Sequence, residues 1–143
     1  MYTQSTPFGN ALRHASTYQT VGLETGMDAA NPHRLVAMLF EGLFAALHQA
    51  RGAMRAGQVA AKCAAIGKAV RIVEEGLRGG LNLAEGGELA RHLDELYDYA
   101  LRRLTHANLH NDEAAIEECQ QLLQPIKEAW DAIAPQAQAQ PRS

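Results

Sequence analysis

Aromatic residues make up only 6% of the 143-residue sequence, and alternating runs of β-branched residues are missing, so a β-sheet would have little to pack. Cysteine occurs twice, at Cys63 and Cys119, without paired spacing. That excludes a disulfide framework and a zinc module, and leaves two reduced, packed thiols as the expectation. No stretch approaches the roughly 18 apolar residues of a membrane span, and residues 1–10 have neither a basic n-region nor an apolar h-region. A cytoplasmic protein is expected. Basic runs are absent as well, none exceeding the pair Arg102 and Arg103, which argues against nucleic acid as a partner. The net charge of −3 hides an asymmetry. Residues 1–72 carry seven Lys and Arg against three Asp and Glu, residues 73–143 six against thirteen, giving +4 and −7.

Catalytic patterns are missing in the same way. The six histidines include no Glu-x-x-His pair of the kind that places two metal ligands on one helical face. His106 and His110 stand four apart, but His110 falls in an expected turn and a third ligand is lacking, so solvated surface histidines are the better reading. No phosphate-cradling glycine loop, no Gly-x-Ser-x-Gly and no Cys/His nucleophile arrangement occurs. The chain is therefore expected to be no enzyme and to need no metal or cofactor.

What is present is helix. Alanine and leucine abound, apolar residues make up 47% of the chain and charged residues 20%, the balance of one ordinary globular domain. Residues 1–9 and 135–143 hold few large apolar groups and are expected to be flexible, leaving a single domain over 10–134. Asn10 to about Val21 fits a short helix, followed by the loosening glycines Gly22 and Gly26. At Asn31 and Pro32 a cap and a proline at the first helical position announce a long helix, with Leu35, Leu39, Leu43, Leu47, Ala50 and Met54 as its seam and Gly57 as its stop. A second is expected from about Gln58 to Leu81, with Ile66, Val70, Val73, Leu77 and Leu81 inward and Lys62, Arg71, Glu75 and Arg78 outward. A third spans about Gly87 to Asn108 along Leu89, Leu93, Leu96, Ala100, Leu104 and Ala107. A fourth starts at Asn111 or Asp112, buries Ile116, Cys119, Leu123, Ile126, Trp130 and Ile133, and ends before Pro135. Pro125 is its one local contradiction.

Four such helices joined by short connections fold back as antiparallel neighbours, so the expected class is all-α, an up-down-up-down four-helix bundle with a short N-terminal helix or cap. The first helix holds an apolar excess: Met38, Leu43, Phe44 and Leu47 cover more than one seam requires. Either the N-terminal segment covers it, or it forms a groove for a partner helix.

With the segments laid out, the chain resembles the flagellar secretion chaperones of the FliS family. The resemblance rests on Tyr18-Gln19-Thr20-Val21-Gly22-Leu23-Glu24-Thr25, then Asn31-Pro32-His33-Arg34-Leu35-Val36-Ala37-Met38-Leu39-Phe40-Glu41-Gly42. It continues through Lys68-Ala69-Val70-Arg71-Ile72-Val73, Gly86-Gly87-Glu88-Leu89-Ala90, Leu96-Tyr97-Asp98-Tyr99-Ala100-Leu101-Arg102-Arg103-Leu104, Ala107-Asn108 and Glu128-Ala129-Trp130. Residues 18–133 are covered in order; the first nine residues and Pro125 depart from the pattern. The resemblance implies a bacterial cytoplasmic chaperone that binds the C-terminal part of flagellin, keeps it from polymerising and assists its delivery to the type III export apparatus. It also implies contact with the export gate and, in some members, an anti-sigma factor. The expected partner-binding residues are Tyr18, Val21 and Leu23 with Leu35, Met38, Leu39 and Leu43. The tyrosine segment either covers the stripe and is displaced, or stays as part of the recognition surface. A self-associating bundle and a helical metalloenzyme are the rival classes, the second disfavoured by the missing ligand spacing.

Overall fold

In the computed structural model, residues 31–133 are described; they contain four helices and no strand. The sequence-based expectations for a short helix at residues 10–21 and for flexible ends at 1–9 and 135–143 lie outside these residues. Helix α1 runs Pro32–Ala56, α2 Val59–Arg71 with a π-wound continuation Ile72–Arg78, α3 Gly87–His110 and α4 Glu113–Ala132.

Each boundary has a local cause. Asn31 Oδ1 accepts the Arg34 N–H at 3.1 Å, and Pro32 starts α1 at no cost because the first N–H of a helix has no intrahelical partner. Gly57 ends it at φ 70°, where the Gln58 N–H returns to the Ala53 carbonyl at 2.9 Å. Asn111, at φ 52°, closes α3 with one residue in the left-handed region, and Asp112 immediately caps α4 by accepting the N–H groups of Ala114 and Ala115. Connections of two residues after α1 and α3 leave the chain no course but reversal.

The side-chain ties fix the directions. The start of α1 meets the end of α4 at His33 and Trp130, while Arg51 near its other end meets Glu113 at the start of α4. Lys62 at the start of α2 reaches Asn108 at the end of α3, and Arg78 at the far end reaches Asp94 and Asp98 early in α3. Tyr99 and Arg103 of α3 both bind Glu118 of α4. These ties run α1 against α4, and α2 against α3, in opposite directions. Between these ends, Phe40, Leu43, Leu47, Ile66, Ile72, Leu77, Tyr97, Leu104, Ile116 and Leu123 form the buried core. None of the described helices is long and apolar enough to cross a membrane.

Several expectations need correction. The second helix is not one regular α-helix. Ile72 and Leu77, five apart, are both fully buried, a spacing that shares one face in π but not in α winding. The wide turn also needs Gly79, since a Cβ there would sit 2.5 Å from the Glu75 carbonyl oxygen. Lys62 is inward, not outward. On α3 the seam runs through Ala90 and Tyr97, leaving Leu89 exposed, and His110 is the last helical residue. Ile133 lies exposed beyond α4. Trp130 is half-buried at the rim of the core: its indole stacks on the His33 ring at 4.7 Å and 6°, its N–H donates to the His33 carbonyl at 3.0 Å, and the His33 Nε2–H donates to the Trp130 carbonyl at 2.8 Å. Helix α4 runs on through Pro125, which is exposed together with Gln121, so the carbonyl it leaves unpaired can take water. The Tyr97 hydroxyl is buried without a partner, the one such side-chain atom among the described residues, and burial pushes its pKa upward.

Because Trp130 is half-buried, Trp130→Ala is expected to destabilise by about 2 to 4 kcal/mol, below the value for a full core tryptophan. Urea and thermal melts check this, and an unchanged midpoint would contradict the clasp. Neither cysteine is bridged: Cys63 is exposed, and Cys119 is buried with its thiol pushed up to about 12 by desolvation. Native alkylation followed by intact mass should show one label at Cys63, and a second at Cys119 only after unfolding. Rapid native labelling of Cys119, or no label after unfolding, would refute this.

Candidate partner-binding surface

The described residues include no cluster of three or more His, Cys, Asp or Glu that could hold a metal. His106 and His110 do lie close, with ring centroids 4.5 Å apart, but the His106 Nε2 faces Asp112 Oδ2 at 3.2 Å, and that carboxylate is already the cap of α4. This pairing ties a turn together and offers no open coordination site.

The α1 stripe is mostly interior. Leu35, Leu39 and Leu43 are buried, as is Leu47; Met38 and Phe44 are half-buried. Tyr18, Val21 and Leu23 lie outside the described residues. The four helical candidates thus share one helix, but among them Met38 alone is reachable from outside.

A second apolar strip lies along α3 and α4. The register there is set by the Cys119 thiol donating to the Ala100 carbonyl at 3.7 Å, and by Glu118 receiving the Tyr99 hydroxyl at 2.6 Å and the Arg103 Nε–H at 2.8 Å. Stepping along both helices from these pairs brings Leu96 level with Leu122, Leu93 with Ile126, and Leu89 with the last turn of α4. Leu89 is 59% exposed and Ile133 42%, while Leu93, Leu96, Leu122 and Ile126 are half-buried. The steps 89, 93, 96 and 122, 126, 129, 133 are helical repeats, so each set shares one face of its helix and the two faces run side by side. Periodicity assigns Leu89, Leu93, Leu96, Ile126 and Ile133 to the core; Leu93, Leu96 and Ile126 do pack against it while half-buried, whereas Leu89 and Ile133 are exposed. Only the buried Ala90 and Tyr97 reveal that α3 is rotated.

Glu118 marks where the groove turns polar. Hydrogen bonds from Tyr99 first, and from Arg103, hold its carboxyl below the usual carboxylate range, and the same bond to Glu118 raises the Tyr99 phenol. Across the bundle, α1 and α4 enclose a hollow of about 320 Å³ lined by Phe44, Arg51, Glu117, Gln120, Gln121 and Gln124. Arg51 there is engaged with Glu113 and Gln120.

Apolar residues left on a surface are the kind of feature an amphipathic helix of another polypeptide can cover. The family model "Flagellar protein FliS" matches residues 14–137. The flagellar secretion chaperone FliS of Salmonella typhimurium is 48% identical over 123 residues, covering 86% of this chain and 91% of that protein. The flagellar secretion chaperone FliSB of Pseudomonas aeruginosa is 44% identical over 123 residues, covering 86% and 97%. The FliS chaperone of Bacillus subtilis is 29% identical over 107 residues, covering 75% and 78%.

If the groove walls serve binding and not folding, Leu89→Gln and Ile133→Gln should each shift stability by no more than about 0.5 kcal/mol, while Leu104→Ala in the core costs about 2 to 5. Chemical denaturation of the three variants decides this. A loss at Leu89 comparable with that at Leu104 would place Leu89 in the core.

Proposed function

Because this chain belongs to the FliS family and is a flagellar export chaperone, we propose that its cargo is flagellin, held by the C-terminal region in the groove between α3 and α4. The observation that carries this reading is the apolar strip along α3 and α4, in which Leu89 and Ile133 are exposed and Leu93, Leu96, Leu122 and Ile126 are half-buried. A disordered cargo segment that folds as an amphipathic helix on the strip buries its own apolar face there, and with that face occupied it cannot assemble with other subunits. Ordering the segment consumes part of the interaction energy, so a large contact area yields a grip that can be released during export. Binding and release on this scheme require no nucleotide.

A second contact region follows from α1. Tyr18, Val21 and Leu23 cover the stripe formed by Leu35, Met38, Leu39 and Leu43 and yield, at least partly, when cargo binds. Met38 is the member a partner touches directly, with Leu35, Leu39 and Leu43 backing it from inside. The chaperone works in the cytoplasm and hands its cargo to the type III export apparatus, where the export gate is the receiving surface; an anti-sigma factor is a further partner on the same reading.

Gel filtration with light scattering tests the core of this proposal. Mixed with the C-terminal segment of flagellin, the chain should elute as a one-to-one complex, and Leu89→Glu combined with Ile126→Glu should weaken the affinity at least about tenfold, or 1.4 kcal/mol. A dimer that ignores the segment would replace this reading with self-association through the same strip. Amide exchange on residues 10–30 tests the cover: unchanged or increased protection upon binding rules out displacement.

A further inference from the structure

Lys62 is the one charged residue buried among the described residues, with 7% of its surface exposed. Its ammonium donates to the Asn108 carbonyl at 3.0 Å and to Asn111 Oδ1 at 3.2 Å, both neutral acceptors. No described carboxylate lies within ion-pair distance of it, although buried charges are normally paired with an opposite charge. The carbonyl end of α3 offsets part of the charge. An ammonium carries three protons, so one donor remains.

Lys62 lines a cavity of about 230 Å³ where the α1–α2 turn meets the α3–α4 turn, with Ala53, Met54 and Val59 as its apolar walls and Gly57, Gln58 and Asn111 completing it. The same corner is positive for a second reason. Helix α2 starts there without a side-chain cap and without an acidic residue in its first turn, so its unpaired amide N–H groups add a partial positive charge. The nearest acids are already engaged: Glu113 is shared by Arg51 and Arg55, and Asp112 by its cap and His106. The cavity is smaller than the roughly 300 to 1,000 Å³ of small-molecule sites, so it suits a single residue.

The geometry points to this cavity as a socket for the C-terminal residue of the cargo polypeptide, its apolar side chain against Ala53, Met54 and Val59 and its α-carboxylate on the Lys62 ammonium. A chain terminus brings a carboxylate and, where its last residue is apolar, an apolar group on the same residue, which matches a socket whose walls and single cation lie within one residue's reach. An internal Asp or Glu brings the charge but nothing to fill the walls. The approach is apolar too: Val59 is 66% exposed at the rim and Leu109 75% exposed at the same end of the bundle. From the level of Leu93 in the α3–α4 groove to Leu109 is about 24 Å at 1.5 Å per residue, so a helical segment seated in the groove reaches this end and rounds it past Asn111. The inference rests on the reading that the cargo presents its C-terminal segment.

The test compares the flagellin C-terminal segment made as the free acid with the same segment made as the C-terminal amide, by isothermal titration against the full chain. The free acid is expected to bind about ten- to a hundredfold tighter, as for a charge-assisted hydrogen bond in a sheltered site. Val59→Asp places a carboxylate at the rim, on the first residue of α2 where an acid suits the helix, so the variant folds and should erase most of that difference. Equal affinity of acid and amide overturns the socket while leaving the groove reading intact. A difference that Val59→Asp does not reduce puts the carboxylate elsewhere and also overturns it. Failure of both segments to bind overturns the socket and the groove together.

Discussion

The stack of His33 on Trp130 closes the bundle. Helices α1–α2, α2–α3 and α3–α4 are joined by turns or a short loop and meet by chain connectivity, but α1 and α4 are separated by nearly the whole described sequence. Only side-chain packing can bring them together. The two rings, with reciprocal bonds to each other's backbone carbonyls, tie the first turn of α1 to the last turn of α4. Arg51 and Arg55 on Glu113 tie the opposite ends, holding that carboxyl below the usual carboxylate range through the hydrogen bond from Arg55 first and then Arg51. Because these ion pairs are accessible to solvent, their value lies in fixing direction and register more than in raw stability. The clasp at the other end adds apolar contact to its hydrogen bonds, and closes four helices around one core.

Closure has a consequence for the outer face. A ring of four helices buries one stripe of each, and further apolar residues are left between neighbours or at the ends. Between α1 and α4 the space is lined with glutamines and an engaged arginine. Between α3 and α4 it is lined with leucines and isoleucines. On the function proposed above, the strip binds cargo on a frame that folds without it. Here the frame is supplied by Phe40, Leu43, Leu47, Ile72, Leu77 and Leu104, none of which the groove uses.

The π-wound turn serves that frame. By adding one residue per turn to the end of α2, it brings Arg78 against Asp94 and Asp98 while Ile72 and Leu77 stay inside. Regular α winding over the same residues would carry one of these groups off the face it occupies. Gly79, with no room for a Cβ, lets the wide turn end there. The device belongs to a closely packed interior, where a mismatch of one residue in period has to be absorbed somewhere.

Local sequence is enough to specify the helices and their ends. Asn31, Pro32, Gly57 and Asp112 act through bonds within four residues of themselves, and two-residue turns force antiparallel neighbours, so α1, α3, α4 and the bundle class are legible from residue order alone. The family motifs, also local strings, are legible in the same way. Tertiary packing settles which face of each helix looks inward and what the buried polar groups touch. Leu89 and Ala90 are both compatible with the α3 period, and a rotation of one residue exchanges core for groove. Lys62 reads as an outward lysine until the end of α3, 46 residues away, supplies its acceptors. Trp130 reads as core until His33 is placed beside it. Such facts depend on contacts between residues remote in sequence, and a periodic pattern, which constrains each helix only against itself, carries no record of its neighbours.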